Sequence, residues 1–434
     1  MRKALLVLVW SLLWTPSHSL SAPRAQAVLS SSSNLDDVSM IPPSDVPIGG
    51  AQPTPLSSQV FNLIKSIVGA GVLGLPAGIA AFGNAPSAAI PALCLLVCFG
   101  FLSGLGFTWI GRACEATGAQ TYRQAWQKSV GKASWMPALA CLLVTACTVL
   151  TYSMVLKDTV PALLEAFLGI SVKQAPALIA TTTLVLLPLC LQKELSKLAP
   201  VSLVGTAGMV YTSIVLVYRL VSGSYAIGGP LQSPYPAAFG SKGWKSVFGV
   251  QSTILISMLS TAFMSHYNAP KFYWEAPQQF HKLVPAGFGG ATVLMGLIAI
   301  AGYMTFGGNA QALILNNYAN DDSLISLARL AVTISLIGSY PLAFTGVRDG
   351  IQEYFPINGN LLTVGSLILL TFLALNLRDV RLVLSLGGAT WGNCVIYLFP
   401  AYMMLKLKLE KSKAITTGVL GIILGIIGAW QALR

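Results

Sequence analysis

Apolar windows recur eleven times along this chain, near 59–82, 86–111, 135–156, 175–192, 199–220, 246–266, 284–306, 325–346, 359–376, 382–405 and 413–431. A hydrocarbon core about 30 Å thick needs roughly 20 apolar residues per helix. Inside it only helices or closed barrels satisfy their own backbone. The windows at 175–192 and 359–376 are the shortest and sit at the edge of the usable range. With 54% hydrophobic and only 9% charged residues, against about 25% charged in soluble domains, the chain leaves no room for a sizeable soluble domain. An all-α integral membrane protein of about eleven helices is the expected fold class.

The net charge of +12 does not point to nucleic acid, because the basic residues are scattered over short loops and not gathered on one face. Their distribution orients the helices instead. If the residues preceding the first window are inside, the inside loops carry thirteen Lys and Arg and the opposite side nine, as the positive-inside rule asks. The seven cysteines lie almost wholly in apolar windows without a CxxC pair. They read as small buried hydrophobes, with no metal or disulfide framework.

Residues 1–20 have a charged start and an apolar run too short to span, the build of a signal peptide. Residues 21–58 are transit-like, rich in Ser and Ala with Arg24, and continue into a Pro/Gly linker. A simple signal peptide would leave the mature N-terminus on the side opposite to the one the loop charges prefer. A bipartite leader for a plastid envelope would resolve the conflict; a vacuolar or other endomembrane location is the alternative.

The segment Phe61–Gly78 is apolar enough for a bilayer yet interrupts its own helix. Gly69, Gly71 and Gly74 each lower helix propensity by about 1 kcal/mol relative to Ala, and Pro76 lacks a backbone donor. Small residues such as Gly74 and Gly78 also serve helix packing, but that does not account for Gly69 and Gly71 followed by Pro76. A membrane helix unwinds where protein or a watery cavity satisfies the freed groups, characteristically around a bound solute. Amides at Ala70, Gly71 and Val72 would suit a carboxylate. Lys65, one turn earlier, is either functional or snorkels to the interface.

A second interruption follows Leu259, where Ser260, Thr261, Ser265, His266 and Asn268 cluster. His266 is suited to carry a proton, or the segment is a helix end wetted at the interface. Ser335 and Ser339, four apart, share a helix face, with Thr333 off it. They bond preceding carbonyls or form a cation or amine site. Thr148 and Tyr152 share a face with the same ambiguity. No HExxH, GxSxG, P-loop or ATP-binding domain is present, and no filter sequence suggests a channel. Neither an enzyme nor a primary pump is expected.

From Phe61 to about Leu405 the chain resembles the amino acid/auxin permease family, especially its vacuolar and sodium-coupled neutral amino acid transporter branches. The resemblance is carried by Asn62-Leu63 with Gly69–Pro76, by Tyr152–Pro161, Leu195–Ser202 and Ala262–Pro270, and by Gly302–Gly308, Asn316–Tyr318, Arg329–Val332 and Tyr340-Pro341. It implies a LeuT-type 5+5 inverted repeat plus one extra helix, with residues 59–220 as the first repeat, 246–405 as the second and 413–431 as the last helix. It implies an amino acid bound between broken helices 1 and 6. The candidate substrate set is Ser66, Gly69, Ala70, Gly71, Val72, Ser260, Thr261 and Phe263. The candidate coupling-ion or proton set is Lys65, His266, Thr333, Ser335 and Ser339. Sodium-coupled relatives typically carry Asn where this chain has Lys65, which favours proton coupling or exchange over sodium symport. A non-transporting amino acid sensor would keep the same pocket. No cofactor, metal or nucleic acid is expected; the partners are the amino acid, H+ or Na+, and the lipid bilayer.

Overall fold

The computed structural model describes residues 55–192, 199–226, 228–352, 354–355 and 357–433, without the side chains of 199–204. The leader regions 1–20 and 21–54 lie outside the described residues. Regular structure among those described is helical throughout, with a single isolated bridge between Ala238 and Gly307.

Helix α1 (Leu56–Ile67) ends where the glycines begin. After Val68 and Gly69 the chain makes a 3-10 turn over Ala70–Gly74 and re-enters a helix as α2 (Leu75–Ala80), bent 51° from α1. Then come α3 (Ala89–Thr117), α4 (Tyr122–Val130), α5 (Trp135–Leu168), α6 (Gln174–Thr181), α7 (Leu187–Leu191) and α8 (Ala199–Val221). The second interruption separates α9 (Ser252–Ala262) from α10 (Ala269–Glu275). The chain continues with α11 (Phe280–Phe306), α12 (Ser323–Gln352), α13 (Gly359–Asn376), α14 (Val380–Gly387), α15 (Phe399–Lys406) and α16 (Lys411–Leu433).

Eight helical stretches among the described residues are long and apolar enough to span a bilayer, and the bent α1–α2 pair makes nine. The remaining two of the eleven windows are α8 and the broken α9–α10 pair. Two helices run well beyond their apolar windows. The α3 helix continues to an αL glycine at Gly118, and α5 passes Pro161 before stopping at αL Gly169, the usual C-terminal device. Between them the segment expected as a loop is helical, because the Thr121 hydroxyl caps α4 by accepting from the Gln124 amide at 3.2 Å. Between α14 and α15 the helix widens into π-turns over Gly388–Gly392 and Cys394–Leu398. There Gly388 lies so close to α9 that an added Cβ would overlap the Ser257 carbonyl oxygen.

Helix α12 packs along both α5 and α8, and α11 packs against α3, α8 and α1, so one long helix backs the first half of the broken pair. One end of the bundle is tied by Gln59 donating to the Glu275 carbonyl (3.3 Å), Trp274 donating to the Ala119 carbonyl (2.8 Å), and an Arg112–Glu410 ion pair. Near the other end Asp322 is buried. It accepts from Arg219 at 2.6 Å and from the Tyr225 hydroxyl at 2.9 Å, and caps the start of α12 through the amides of Leu324 and Ile325. Burial, with Asp322 as acceptor, raises the Tyr225 hydroxyl well above its ordinary range and keeps it a donor. Arg329 holds the preceding loop by donating to the carbonyls of Leu315, Tyr318 and Ala319.

Candidate substrate and coupling site

The two interruptions meet in space. The Ser66 hydroxyl, at the end of α1, lies 2.7 Å from that of Ser265, between α9 and α10. Both helices stop here for local reasons. Gly69 takes an extended conformation (φ −115°, ψ −166°), and Ser265 leaves the helical region (φ −146°, ψ 4°). A stopped helix leaves terminal N–H and C=O groups without partners. Among the described residues the N–H groups of Ala70 and Gly71 have no acceptor, and neither does that of His266 across the gap.

Two small cavities flank the unwound segment. One, of ≈ 50 Å3, is bounded by Ser66, Gly69, Ala70 and Gly71 on the first break and by Thr261, Ala262, Met264 and Tyr267 on the second; Thr148, Thr151 and Tyr152 of α5 and Leu384 of α14 close it. At roughly 10–15 Å3 per water this is room for about four waters. No charged side chain lines it. The Thr148 and Thr151 hydroxyls donate to the carbonyls of Val144 (3.0 Å) and Cys147 (2.8 Å), so each turns lone pairs toward the cavity. Thr261 donates across to the Leu384 carbonyl at 2.6 Å. The Tyr152 hydroxyl makes no hydrogen bond among the described residues and stands 3.2 Å from where a Cβ on Gly69 would be. The cavity thus offers N–H donors from the first break, and a hydroxyl donor and hydroxyl acceptors from α5. That polarity fits a zwitterion.

The other cavity, of ≈ 20 Å3, has room for about one water. It lies between Lys65, Val68, Gly69 and Ala70 on one side and Thr206, Met209, Leu294, Ser335 and Ser339 on the other, with Tyr152 as a wall common to both cavities. Lys65 makes no ion pair among the described residues.

Of the residues singled out from sequence, Ser66, Gly69, Ala70, Gly71 and Thr261 line the first cavity and Lys65, Ser335 and Ser339 the second. The others lie elsewhere. Val72 is fully buried behind the turn, and Ser260 donates to the Ile256 carbonyl at 3.2 Å. Phe263 turns toward Phe288, ring on ring at 6.3 Å. His266 is completely buried between Phe107 and Phe288, its Nε2 2.9 Å from the Ser103 carbonyl. That carbonyl fixes the proton on Nε2 and leaves Nδ1 bare. Thr333 donates to Thr159 at 3.2 Å, joining α12 to α5. Sequence reasoning passed over Thr151, Tyr267 and Leu384. Thr151 was within reach, three residues from Thr148 on the same face; an apolar Leu384 carries no signal.

Comparison with known proteins bears on the family and the fold. A family model described as transmembrane amino acid transporter protein matches residues 54–430. A protein of Danio rerio named "Putative sodium-coupled neutral amino acid transporter 11" is 23% identical over 402 residues, covering 86% of this chain and 85% of the relative. Its namesake in Bos taurus is 22% identical over 373 residues, covering 82% and 76%. Among solved structures, a crystal structure of MhsT in complex with L-phenylalanine superposes with a TM-score of 0.57 at 11% identity, over 88% of this chain and 100% of that one. This likeness concerns the fold, which is of the LeuT type.

Proposed function

The chain belongs to the transmembrane amino acid transporter family, and from that premise we propose that it carries amino acids with uncharged side chains, coupled to protons, through the cavity between its two broken helices. It is a multi-pass membrane protein and not an enzyme. The observation that carries the substrate reading is the pair of unpartnered amides at Ala70 and Gly71 beside the unpartnered Tyr152 hydroxyl. Together they suit a carboxylate, with the positive end of a helical turn behind them. The amine then faces the oxygens of Thr148 and Thr151 and the carbonyls that the end of α9 leaves free. A charged side chain would find no counter-charge in this lining, so it is disfavoured by desolvation. The two breaks open the two proposed repeats, 59–220 and 246–405, whose relative rocking would expose the site to either side.

Proton coupling is supported by Lys65 standing beside Ser335 and Ser339 in a cavity with room for about one water. An ammonium there repels a sodium ion, and giving up its proton as α1 moves would link protonation to the transport cycle. His266 and Thr333, both outside the cavities, act in this reading as packing and positioning groups. The competing reading is sodium symport, favoured by the names of the relatives and by hydroxyls of a type that binds sodium. Uptake by the purified chain in liposomes, across twenty amino acids and with proton or sodium gradients imposed separately, tests both. Proton-driven, sodium-independent uptake of neutral amino acids is expected; strict sodium dependence refutes the coupling assignment. For location, a plastid envelope and a vacuolar or other endomembrane stand as alternatives, and diffuse cytosolic signal from a fluorescent fusion to residues 1–58 would refute the plastid leader.

A further inference from the structure

The outer side of the bundle carries a groove unrelated to these cavities. It has a volume of ≈ 360 Å3 and runs between α3 and α11, with Val97, Phe101 and Leu105 along one wall, Pro285 and Gly289 along the other, and the buried Phe288 ring at its floor. Its depth comes from missing side chains. A Cβ on Gly104 would already touch the Phe288 ring at 3.5 Å, whereas one on Gly289 would meet nothing within 4 Å. Thr108 and Thr292 reach the groove, but each donates to the carbonyl four residues earlier, Gly104 at 2.8 Å and Phe288 at 2.7 Å. The walls therefore offer hydrocarbon and no free donor. Val97 is 54% and Phe101 72% exposed, and on a membrane helix that outward face meets acyl chains.

One end of the groove differs. On α11, Lys282, Pro285, Gly289 and Thr292 are spaced to share a face; on α3, Phe101, Leu105, Thr108 and Arg112 do the same. Lys282 and Arg112 thus close the same end from both walls. Acidic neighbours offset them only in part. Glu410 is shared between Arg112 and Lys413, Glu275 faces Lys271, Glu115 is exposed on α3, and Lys282 makes no ion pair among the described residues. This end belongs to the side of the bundle where the Lys- and Arg-rich loops gather. An apolar trough that ends in cations at a membrane surface suits a lipid with a negative headgroup.

We propose that the groove between α3 and α11 binds an anionic phospholipid, with an acyl chain against Phe288 and Gly289 and the headgroup at Lys282 and Arg112. The bound chain rests on a ring that stacks on Phe263 and stands edge-on to His266, ring centroids 6.1 Å apart, so it braces the interrupted segment between α9 and α10 from the lipid side.

Native mass spectrometry of the purified full chain, titrated with phosphatidylglycerol, phosphatidylcholine or a sterol, tests this without relying on transport. Phosphatidylglycerol is expected to be retained most strongly. Lys282→Gln, at an exposed side chain, should weaken its binding roughly fivefold, the equivalent of about 1 kcal/mol per basic residue at a surface. Gly289→Leu fills the trough and should lower binding more than tenfold. Gly365→Leu, on an equally open stretch of α13, should leave it unchanged. Preference for phosphatidylcholine or sterol overturns the assignment. Unchanged phosphatidylglycerol binding in Gly289→Leu, or in Lys282→Gln, overturns it as well.

Discussion

Gly69→Ala places one methyl group at the wall common to the two cavities. The backbone at Gly69, with φ −115°, is open to any L-residue, so the substitution tests space and not strain. The new Cβ would sit 3.2 Å from the Tyr152 hydroxyl, with the ring carbons at 3.8 and 3.9 Å. Overpacking costs about 1–3 kcal/mol, and a single methyl against a single oxygen belongs near the lower end. Alanine also restricts the unfolded chain, which stabilises by about 0.4–1 kcal/mol. The two effects nearly cancel in global stability, while the displacement falls on the hydroxyl proposed to receive substrate. Uptake in proteoliposomes should fall about fivefold, the equivalent of about 1 kcal/mol, with little change in the thermal midpoint. Gly71→Ala, whose Cβ would meet Leu384 at an ordinary 3.4 Å, should lose less than twofold. In a Tyr152→Phe background the oxygen is gone and the nearest atom is at 3.8 Å, so Gly69→Ala should have no further effect. An undiminished fivefold loss in that background would refute the steric reasoning, since the cycle isolates the pair.

Lys65→Asn removes a charge beside Ser335 and Ser339; repulsion of a cation 4 Å away is about 4 kcal/mol at an effective dielectric of about 20. Allowing for screening, at least tenfold stronger sodium stimulation of uptake is expected, together with loss of proton dependence; unchanged ion dependence would count against the coupling role. Gly71→Val pushes a branched side chain past its 3.4 Å contact with Leu384 into the ≈ 50 Å3 cavity, and should abolish uptake while leaving the amount of protein in the membrane intact. Asp322→Asn breaks a buried pair with Arg219 and should destabilise the protein by about 3–5 kcal/mol, read as a lower thermal midpoint in detergent; a midpoint within error of the parent would mean that the pair is not desolvated.

How much of the site was legible depended on chemistry. Ala70 and Gly71 could be found because glycine and proline inside an apolar window announce an interruption whatever surrounds it. Lys65 stood out because a lysine in such a window needs a reason. Ser335 and Ser339 were found from their four-residue spacing. His266 and Thr333 attracted the same attention by polarity, yet each is spent on a bond between helices, to the Ser103 carbonyl and to Thr159. A polar residue announces that it needs a partner and not which partner. Phe263 lay in the right segment, but its rotation about the interrupted chain sends it toward Phe288.

By its sequence alone the chain determined that it crosses a membrane about eleven times and that two of its helices break, because hydropathy over twenty residues and backbone propensity are local quantities. Tertiary structure decided which polar groups those breaks share. Only packing brought Ser66 to Ser265, placed Tyr152 between two cavities, set Leu384 against Gly71, and buried His266 away from them. Those outcomes depend on helix rotation and close approach, which are fixed by side chains far apart in the chain.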